Sequence, residues 1–387
     1  MRLPVTGALL ALALTACATP GPGGPPVVTP PPPTASPPPE TPVVPPPPAG
    51  GGFAALPGWE AENHLAALNA WRATCGVARD PVATAVCKRA RALGAVDDAA
   101  ARRFLETSFR PEALPDSGLL TAYFSPVYPA SETPNGEFTA AVRARPDDLV
   151  TTDLSDIDPA AGAGQKLVSR MKDGQLAAYP DRAGIEAEGL GKPIAWMRPE
   201  DLFFLQIQGS GVLVYPDGTR RRAVFAAHNG RPFTGIARPM REQGLLKDSD
   251  TSGDAIRGWL ASHRGPEAEA IMRLNPRYVF FGLADDDDRE PAGAAGVPLP
   301  PGRSIAIDTS RHDMGELFWI DASAPALTGA FPVYRRLVVA LDTGGAIKGE
   351  VRADLYMGRG DAAGVEAGRV RHTLKMYRLA PLPPRDP

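Results

Sequence analysis

Cysteine and histidine are scarce in this 387-residue chain, with three of the first and five of the second. His64, His228, His263, His312 and His372 lack metal-ligand spacing and no cysteine falls in the second half, so no metal site is expected. The same scarcity leaves no Ser-His-Asp arrangement to read. A formal net charge of −3, with both signs interspersed, supplies no basic stripe and argues against nucleic acid as a partner. Beyond the first residues no apolar segment is long enough to cross a bilayer. No cofactor is implied. Gly209-Ser210-Gly211 comes nearest to a phosphate loop, yet Val212 to Gly218 reads as a strand and hairpin turn, where a phosphate loop needs a helix.

The chain does hold 44 prolines, concentrated with glycine, threonine and serine between residue 17 and about residue 52. That composition cannot bury a core and favours extended polyproline II, so it predicts a tether. At about 3.1 Å per residue, roughly 30 residues reach on the order of 90 Å. Before it stand Met1-Arg2, the apolar stretch Gly7 to Leu14, and Leu14-Thr15-Ala16-Cys17. This resembles a secretory signal of residues 1–16 ending in a bacterial lipoprotein box, which implies cleavage before Cys17 and lipidation of its thiol. Ala18 follows, with no aspartate to suggest inner-membrane retention. The implied location is the periplasmic side of the outer membrane, held by a lipid anchor.

If Cys17 carries lipid, Cys75 and Cys87 remain as an even pair in an oxidising compartment, and a disulfide is expected. Leu65, Leu68 and Trp71 recur on one helical face before Cys75, and Val82, Val86 and Ala90 do so around Cys87. A helical preface stapled at this point, and continued over Asp97 to Phe109, is predicted.

From Leu119 the texture becomes short apolar runs broken by glycine, proline and aspartate, as in a sheet protein. Pro126 forces Ser125 toward extended geometry. Phe203 to Gln208 is read as a strand with Gln206 and Gln208 on one face, their amides suited to sugar hydroxyl and N-acetyl groups or to satisfying backbone. His228-Asn229-Gly230 is read as a loop, Ser252 to Ile271 as helical, and Asp285-Asp286-Asp287-Asp288 as a solvated acidic linker, since it lacks a calcium loop's alternation. Strands return at Ser304 to Ile307, Phe318 to Ile320 and Thr373 to Leu379.

Leu337-Val338-Val339-Ala340-Leu341 is a continuous apolar run, as in a strand buried on both faces. It stops at Asp342, passes Thr343-Gly344-Gly345, and returns through Lys348 to Asp354 in Ala353-Asp354-Leu355-Tyr356-Met357. An aspartate at a strand end is often only a turn former. Two carboxylates and an ammonium at the ends of neighbouring strands are also how a sheet presents reactive groups on a rigid frame.

Asp308 in GRSIAIDTS, Asp342 in ALDTGGAIKG and Asp354 in ADLYMG resemble the three-aspartate domain of the lytic murein transglycosylase A family. The resemblance extends through TAYFSPVYPAS, FFLQIQGSGVLVYPDG, HNGRPFTGIARPM and NPRYVFF, covering most of the chain from about residue 57. It implies a mainly β protein: a double-psi β-barrel domain with an inserted, smaller β-barrel domain, plus N-terminal helices. The corresponding divisions are 53–129 and 286–387 for the main domain and 130–285 for the insert. A groove between the barrels would hold peptidoglycan glycan strands. Ala122, Phe124 and Ser125 depart mildly from the family's usual residues, and the interval from Asp342 to Asp354 is one residue longer than in some relatives.

The chemistry implied is cleavage of the β-1,4 bond between N-acetylmuramic acid and N-acetylglucosamine without water, leaving a 1,6-anhydro ring. Ordinary glycosidases use two carboxyl groups. Here the muramoyl 6-hydroxyl is already tethered to the carbon it attacks, so one acid–base group suffices. The resemblance assigns that role to Asp354, with Asp342, Asp308 and Lys348 in support. Tyr123, Ser125, Gln206, Gln208, Gly209, Ser210 and Asn229 are the expected substrate contacts. A non-catalytic wall-binding lipoprotein and a hydrolase of similar fold are the alternatives.

Overall fold

The computed structural model describes residues 52–154, 166–172, 174–247, 250–324 and 330–383. Cys17 and the proline-rich segment through residue 51 lie outside them. Three helices come first: α1 (His64–Thr74), α2 (Pro81–Ala92) and α3 (Asp98–Ser108). Each begins at a residue whose short side chain accepts a free backbone N–H of the first turn: Asn63 from Ala66, Asp80 from Ala83 and Asp97 from Ala100. A Cys75–Cys87 disulfide ties the end of α1 to α2.

The chain then alternates between sheets. Strands β1 (Phe109–Ala113), β2 (Gly118–Ser125) and β3 (Val127–Pro129) lead into β4 (Ala140–Arg143), β5 (Leu149–Asp153), β6 (Lys166–Lys172) and β7 (Gln175–Ala178). Next come α4 (Arg182–Glu188), β8 (Pro193–Met197), α5 (Pro199–Gln208), β9 (Gly211–Val214) and β10 (Arg220–His228). Helices α6 (Ala237–Glu242), α7 (Gly253–Ser262) and α8 (Pro266–Arg273) precede β11 (Val279–Asp285). The last part holds β12 (Ser304–Ile307), β13 (Leu317–Ser323), β14 (Val333–Thr343), β15 (Arg352–Arg359), α9 (Gly360–Ala367) and β16 (Arg371–Pro381).

Six strands close into a barrel in the order β2, β16, β13, β14, β12, β15 and back to β2, with β1 added on β16. Two pairs, β12–β14 and β15–β2, are parallel, and the rest are antiparallel. Ile305, Ile307, Phe318, Val338, Ala340, Ala353 and Leu355 fill the barrel. The residues between them, Trp319, Leu337, Val339, Leu341 and Tyr356, face outward against the N-terminal helices. A strand with a core on each side needs apolar residues at every position, which accounts for the unbroken run at Leu337.

The inserted part is built from sheets β11-β10-β9-β3, β4-β8 and β5-β6-β7. Residues of β3, β4, β8, α5, β9, β10 and β11 share one apolar core. One reading of the sequence is corrected here and another refined. Phe203 to Gln208 is helix, not strand: Pro199 opens α5, Glu200 and Asp201 occupy its first turn, and Gly209 ends it at φ 81°. The segment is buried on several sides, with Leu202, Phe203, Leu205 and Gln206 all inside, so the 3.6-residue period is hidden. Ser252 to Ile271 is two helices, broken where Gly265 takes φ 108° ahead of Pro266.

The four-aspartate run is not a solvated linker throughout. Asp285 ends β11, and the Asp286 side chain is only 1% exposed. It accepts from Arg220 on β10 at 3.0 Å and from Arg359 on β15 at 2.7 and 2.8 Å. One buried carboxylate thereby fastens the insert to the barrel strand that carries Asp354.

Candidate active site

The site is built on the outward face of the barrel, where β12 runs between β14 and β15. Ala306 is register partner to Asp342 on one side and to Asp354 on the other. Ala340 pairs with Ile305 but Asp342, not Leu341, pairs with Ala306. This bulge gives β14 one extra residue and turns Asp342 out of the barrel, onto the face that holds Asp354. The smallest chiral side chain thus separates two carboxylates carried two strands apart.

Strand β2 supplies the next layer. Thr121 lies opposite Asp354 and Tyr123 opposite Tyr356. The Thr121 hydroxyl donates to Asp354 Oδ1 in a short hydrogen bond. Tyr123 Oη donates to Asp342 Oδ2 at 2.6 Å, and its ring lies 5.2 Å from that of Tyr356. The loop before β12 closes over this face: Ala294 N–H donates to Asp342 Oδ1 at 2.9 Å, and Tyr356 Oη to Glu290 at 2.6 Å. Thr343 N–H also donates to Asp342 Oδ1 at 2.9 Å.

Asp354 is half-buried among β12, β15 and β2. Burial pushes its carboxyl above the ordinary value, the Thr121 hydrogen bond and the Arg352 charge oppose this, and the Asp342 charge adds to it. Asp342 is also pushed up by burial, against the pull of Tyr123 and the Ala294 and Thr343 N–H groups. Asp308, at the end of β12, is in the opposite state. Burial works against its charge, but N–H groups of Gly349 and Ser310, the Ser310 hydroxyl and the Lys348 charge hold it down to about 2. Its partners are Gly349 N at 2.8 Å, Ser310 Oγ at 2.9 Å and Lys348 Nζ at 3.5 Å. Asp308 and exposed Lys348 therefore brace the turn that returns the chain to β15.

The expected substrate contacts divide. Tyr123 belongs to the carboxylate cluster. Ser125 is buried at the end of β2, and Gln208 accepts from Phe124 N–H at 3.2 Å, tying α5 to that strand. Gln206 does not share a face with Gln208: it is buried and donates to Val279 O at 3.2 Å. Gly209 is the helix end, and Ser210 is half-buried beside it. Asn229 is 1% exposed and spends its amide on Pro180 O and Pro276 O, both at 2.9 Å, and on Tyr278 N. It locks loops together and presents nothing to a ligand. Thr121, Arg352 and Glu290 join the cluster without having been singled out. For Thr121 the available clue was its place two residues before Tyr123, on the same strand face.

Among the described residues no group of His, Cys, Asp and Glu is arranged to hold a metal ion. What the cluster offers is two neighbouring carboxyls both pushed up by burial, one of them held by three donors, which is an arrangement suited to acid–base work.

The fold and the site define a class: proteins with a carboxylate pair on the outward face of a closed six-stranded barrel that carries a β-rich insert. Residues 119–282 match the MltA specific insert domain, and residues 303–380 match the 3D domain. The membrane-bound lytic murein transglycosylase A of Escherichia coli (strain K12) is 30% identical over 269 residues, which cover 68% of this chain and 66% of that protein. The chain thus spans about two thirds of the length of that relative. The crystal structure of the membrane-bound lytic murein transglycosylase from Agrobacterium tumefaciens is 32% identical, with a TM-score of 0.73, over 85% of this chain and 96% of that one. Escherichia coli MltA with bound chitohexaose is 28% identical, with a TM-score of 0.61, over 84% and 89%. The chain belongs to the membrane-bound lytic murein transglycosylase A family.

Proposed function

We propose that this chain cleaves peptidoglycan glycan strands as a lytic transglycosylase, with Asp354 as the one acid–base group. The observation that carries the reading is the contrast between two neighbouring carboxylates. Among the described residues, Asp342 accepts from a phenol and two backbone N–H groups, whereas Asp354 accepts from the Thr121 hydroxyl and faces the charge of Asp342. With fewer donors to favour its charge, Asp354 is the carboxyl better placed to keep a proton.

In the reaction, neutral Asp354 gives its proton to the bridging oxygen between the muramoyl and glucosaminyl residues, and the C1–O bond breaks with its electron pair leaving on that oxygen. The muramoyl 6-hydroxyl attacks C1 and yields its proton to the Asp354 carboxylate, restoring the acid. No water enters, and the product carries a 1,6-anhydro end. Asp342, oriented by Tyr123 and by the Ala294 and Thr343 N–H groups, turns its carboxyl oxygens toward the charge that develops at C1. The chitohexaose bound by the Escherichia coli relative supports a β-1,4-linked glycan as the ligand class.

The domain division at about 130 and 285, the implied lipidation of Cys17 and the outer-membrane location belong to the same reading. The membrane-bound relatives support the anchoring, and the match of residues 119–282 to the MltA specific insert domain supports the division. Replacing Cys17 by alanine should release the protein from the membrane fraction. Digestion of purified sacculi with mass analysis tests the chemistry: anhydro ends are expected, whereas reducing ends would mark a hydrolase and no products a binding protein.

A further inference from the structure

Arg352 stands two residues before Asp354 on β15, so both side chains leave the same face of the strand. Leu119 and Thr121 oppose them on β2. Arg352 Nη2 donates to Thr121 Oγ1 at 2.9 Å, while Nη1 donates to Ala353 O at 2.6 Å and to Leu119 O at 3.4 Å. The guanidinium is thereby anchored to backbone on both strands.

A guanidinium has donors only, so Thr121 Oγ1 must be the acceptor in the first of these contacts. A hydroxyl owns a single hydrogen. With its oxygen receiving from Arg352, that hydrogen points to Asp354 Oδ1. The chain Arg352 to Thr121 to Asp354 therefore has one direction, and each link polarises the next.

We infer that Arg352 is a positioning residue for Asp354: acting through Thr121, it makes Oδ1 a permanent acceptor and leaves Oδ2 to carry the transferable proton. The inference rests on Asp354 being the acid–base group. When the Oδ2–H bond breaks toward the bridging sugar oxygen, its electron pair stays on the carboxylate, and the Thr121 hydroxyl is already aimed at the new anion. Oδ2 then recovers a proton from the 6-hydroxyl. No reorientation is needed between the two transfers, which is the economy of a preorganised site.

Other charged and titratable groups face this chain. Asp342 from β14 disfavours a second anion at Asp354, and Tyr123 from β2 feels both carboxylates. Arg371 on β16 is register partner to Thr121, and its charge opposes that of Arg352. None of these donates to Thr121 among the described contacts.

The test is turnover on purified sacculi across pH, with thermal unfolding as the check on folding. Arg352→Met and the near-isosteric Thr121→Val should each lower kcat on the order of tenfold or more with little change in KM. Both remove something that favours the carboxylate form, so the alkaline fall in turnover should move to higher pH in both. Arg352→Lys and Thr121→Ser should restore the wild-type profile. Arg352→Met should add little when Thr121 is already Val, because the two act as one chain. Folded Met and Val variants with an unmoved alkaline limb, or with independent, additive losses, would overturn the inference. Full activity in Asp354→Asn would instead remove the reading beneath it. An inactive Asp354→Asn with an unmoved limb in Thr121→Val would remove only the relay.

Discussion

Asp342 and Asp354 flank the same residue, Ala306, across two strand pairings of opposite sense. The parallel pairing would set Asp342 on the wrong face of β14 without the extra residue at Leu341. The site therefore depends on a bulge as much as on the aspartates, and the consequences can be measured.

Tyr123 is the group that most distinguishes Asp342 from its neighbour. Hydrogen bonds to charged groups contribute about 1.5–3 kcal/mol, so Tyr123→Phe should slow release of anhydro products by roughly tenfold to a hundredfold. The loss should appear in kcat, since the phenol holds a carboxylate in place. A variant as fast as the wild type would dismiss the phenol from the mechanism.

Asp308 should act on stability, with a defined pH window. Its folded-state carboxyl is depressed from 3.8 to about 2, so its contribution is fully present above about pH 4 and is lost as pH falls toward 2. The difference in unfolding free energy between the wild type and Asp308→Asn should be constant near neutrality, at about 2 kcal/mol. It should shrink steadily below pH 4 in urea titrations. A difference that grew on acidification would contradict the assignment.

The two-sided burial of β14 was legible in the sequence because every position from Leu337 to Leu341 is apolar. Helices α1 and α2 were legible from the apolar faces Leu65-Leu68-Trp71 and Val82-Val86-Ala90, and α3 from the stretch that opens at Asp97. Helix α5 was not, because a segment buried on several sides has no polar stripe to reveal its period. Asp286 was read with its three neighbours, since nothing local sets apart the one aspartate that meets Arg220 and Arg359. Thr121 and Arg352 were missed for a topological reason: strands β2 and β15 are adjacent in space but bring together residues 233 positions apart.

The Asp286 fork can be tested by removing it. Asp286→Ala removes the carboxylate that two arginines share, one of them largely buried, and should lower unfolding free energy by about 2–3 kcal/mol. Because the fork joins the insert to the strand bearing Asp354, KM for glycan should rise as well. Unchanged stability and unchanged KM together would show that the fork fastens nothing.

Gly118 opens β2 where it lies against β15, and a Cβ there would meet Val351 O at 1.6 Å. Gly118→Ala must therefore push the two strands apart, at a loss of about 3 kcal/mol or more. Thr121 and Asp354 sit three residues further along the same pairing, so turnover should fall in the protein that still folds. Calorimetry showing wild-type unfolding would mean that the strands have room to spare.

The most direct trial is Asp354→Asn, assayed on purified sacculi by mass spectrometry alongside a glycan-binding measurement. Asparagine keeps the shape and the Thr121 contact but has no acidic proton, so glycan should still bind while anhydro-muropeptides vanish from the digest. Anhydro products released by the variant at the wild-type rate would contradict the account at its centre.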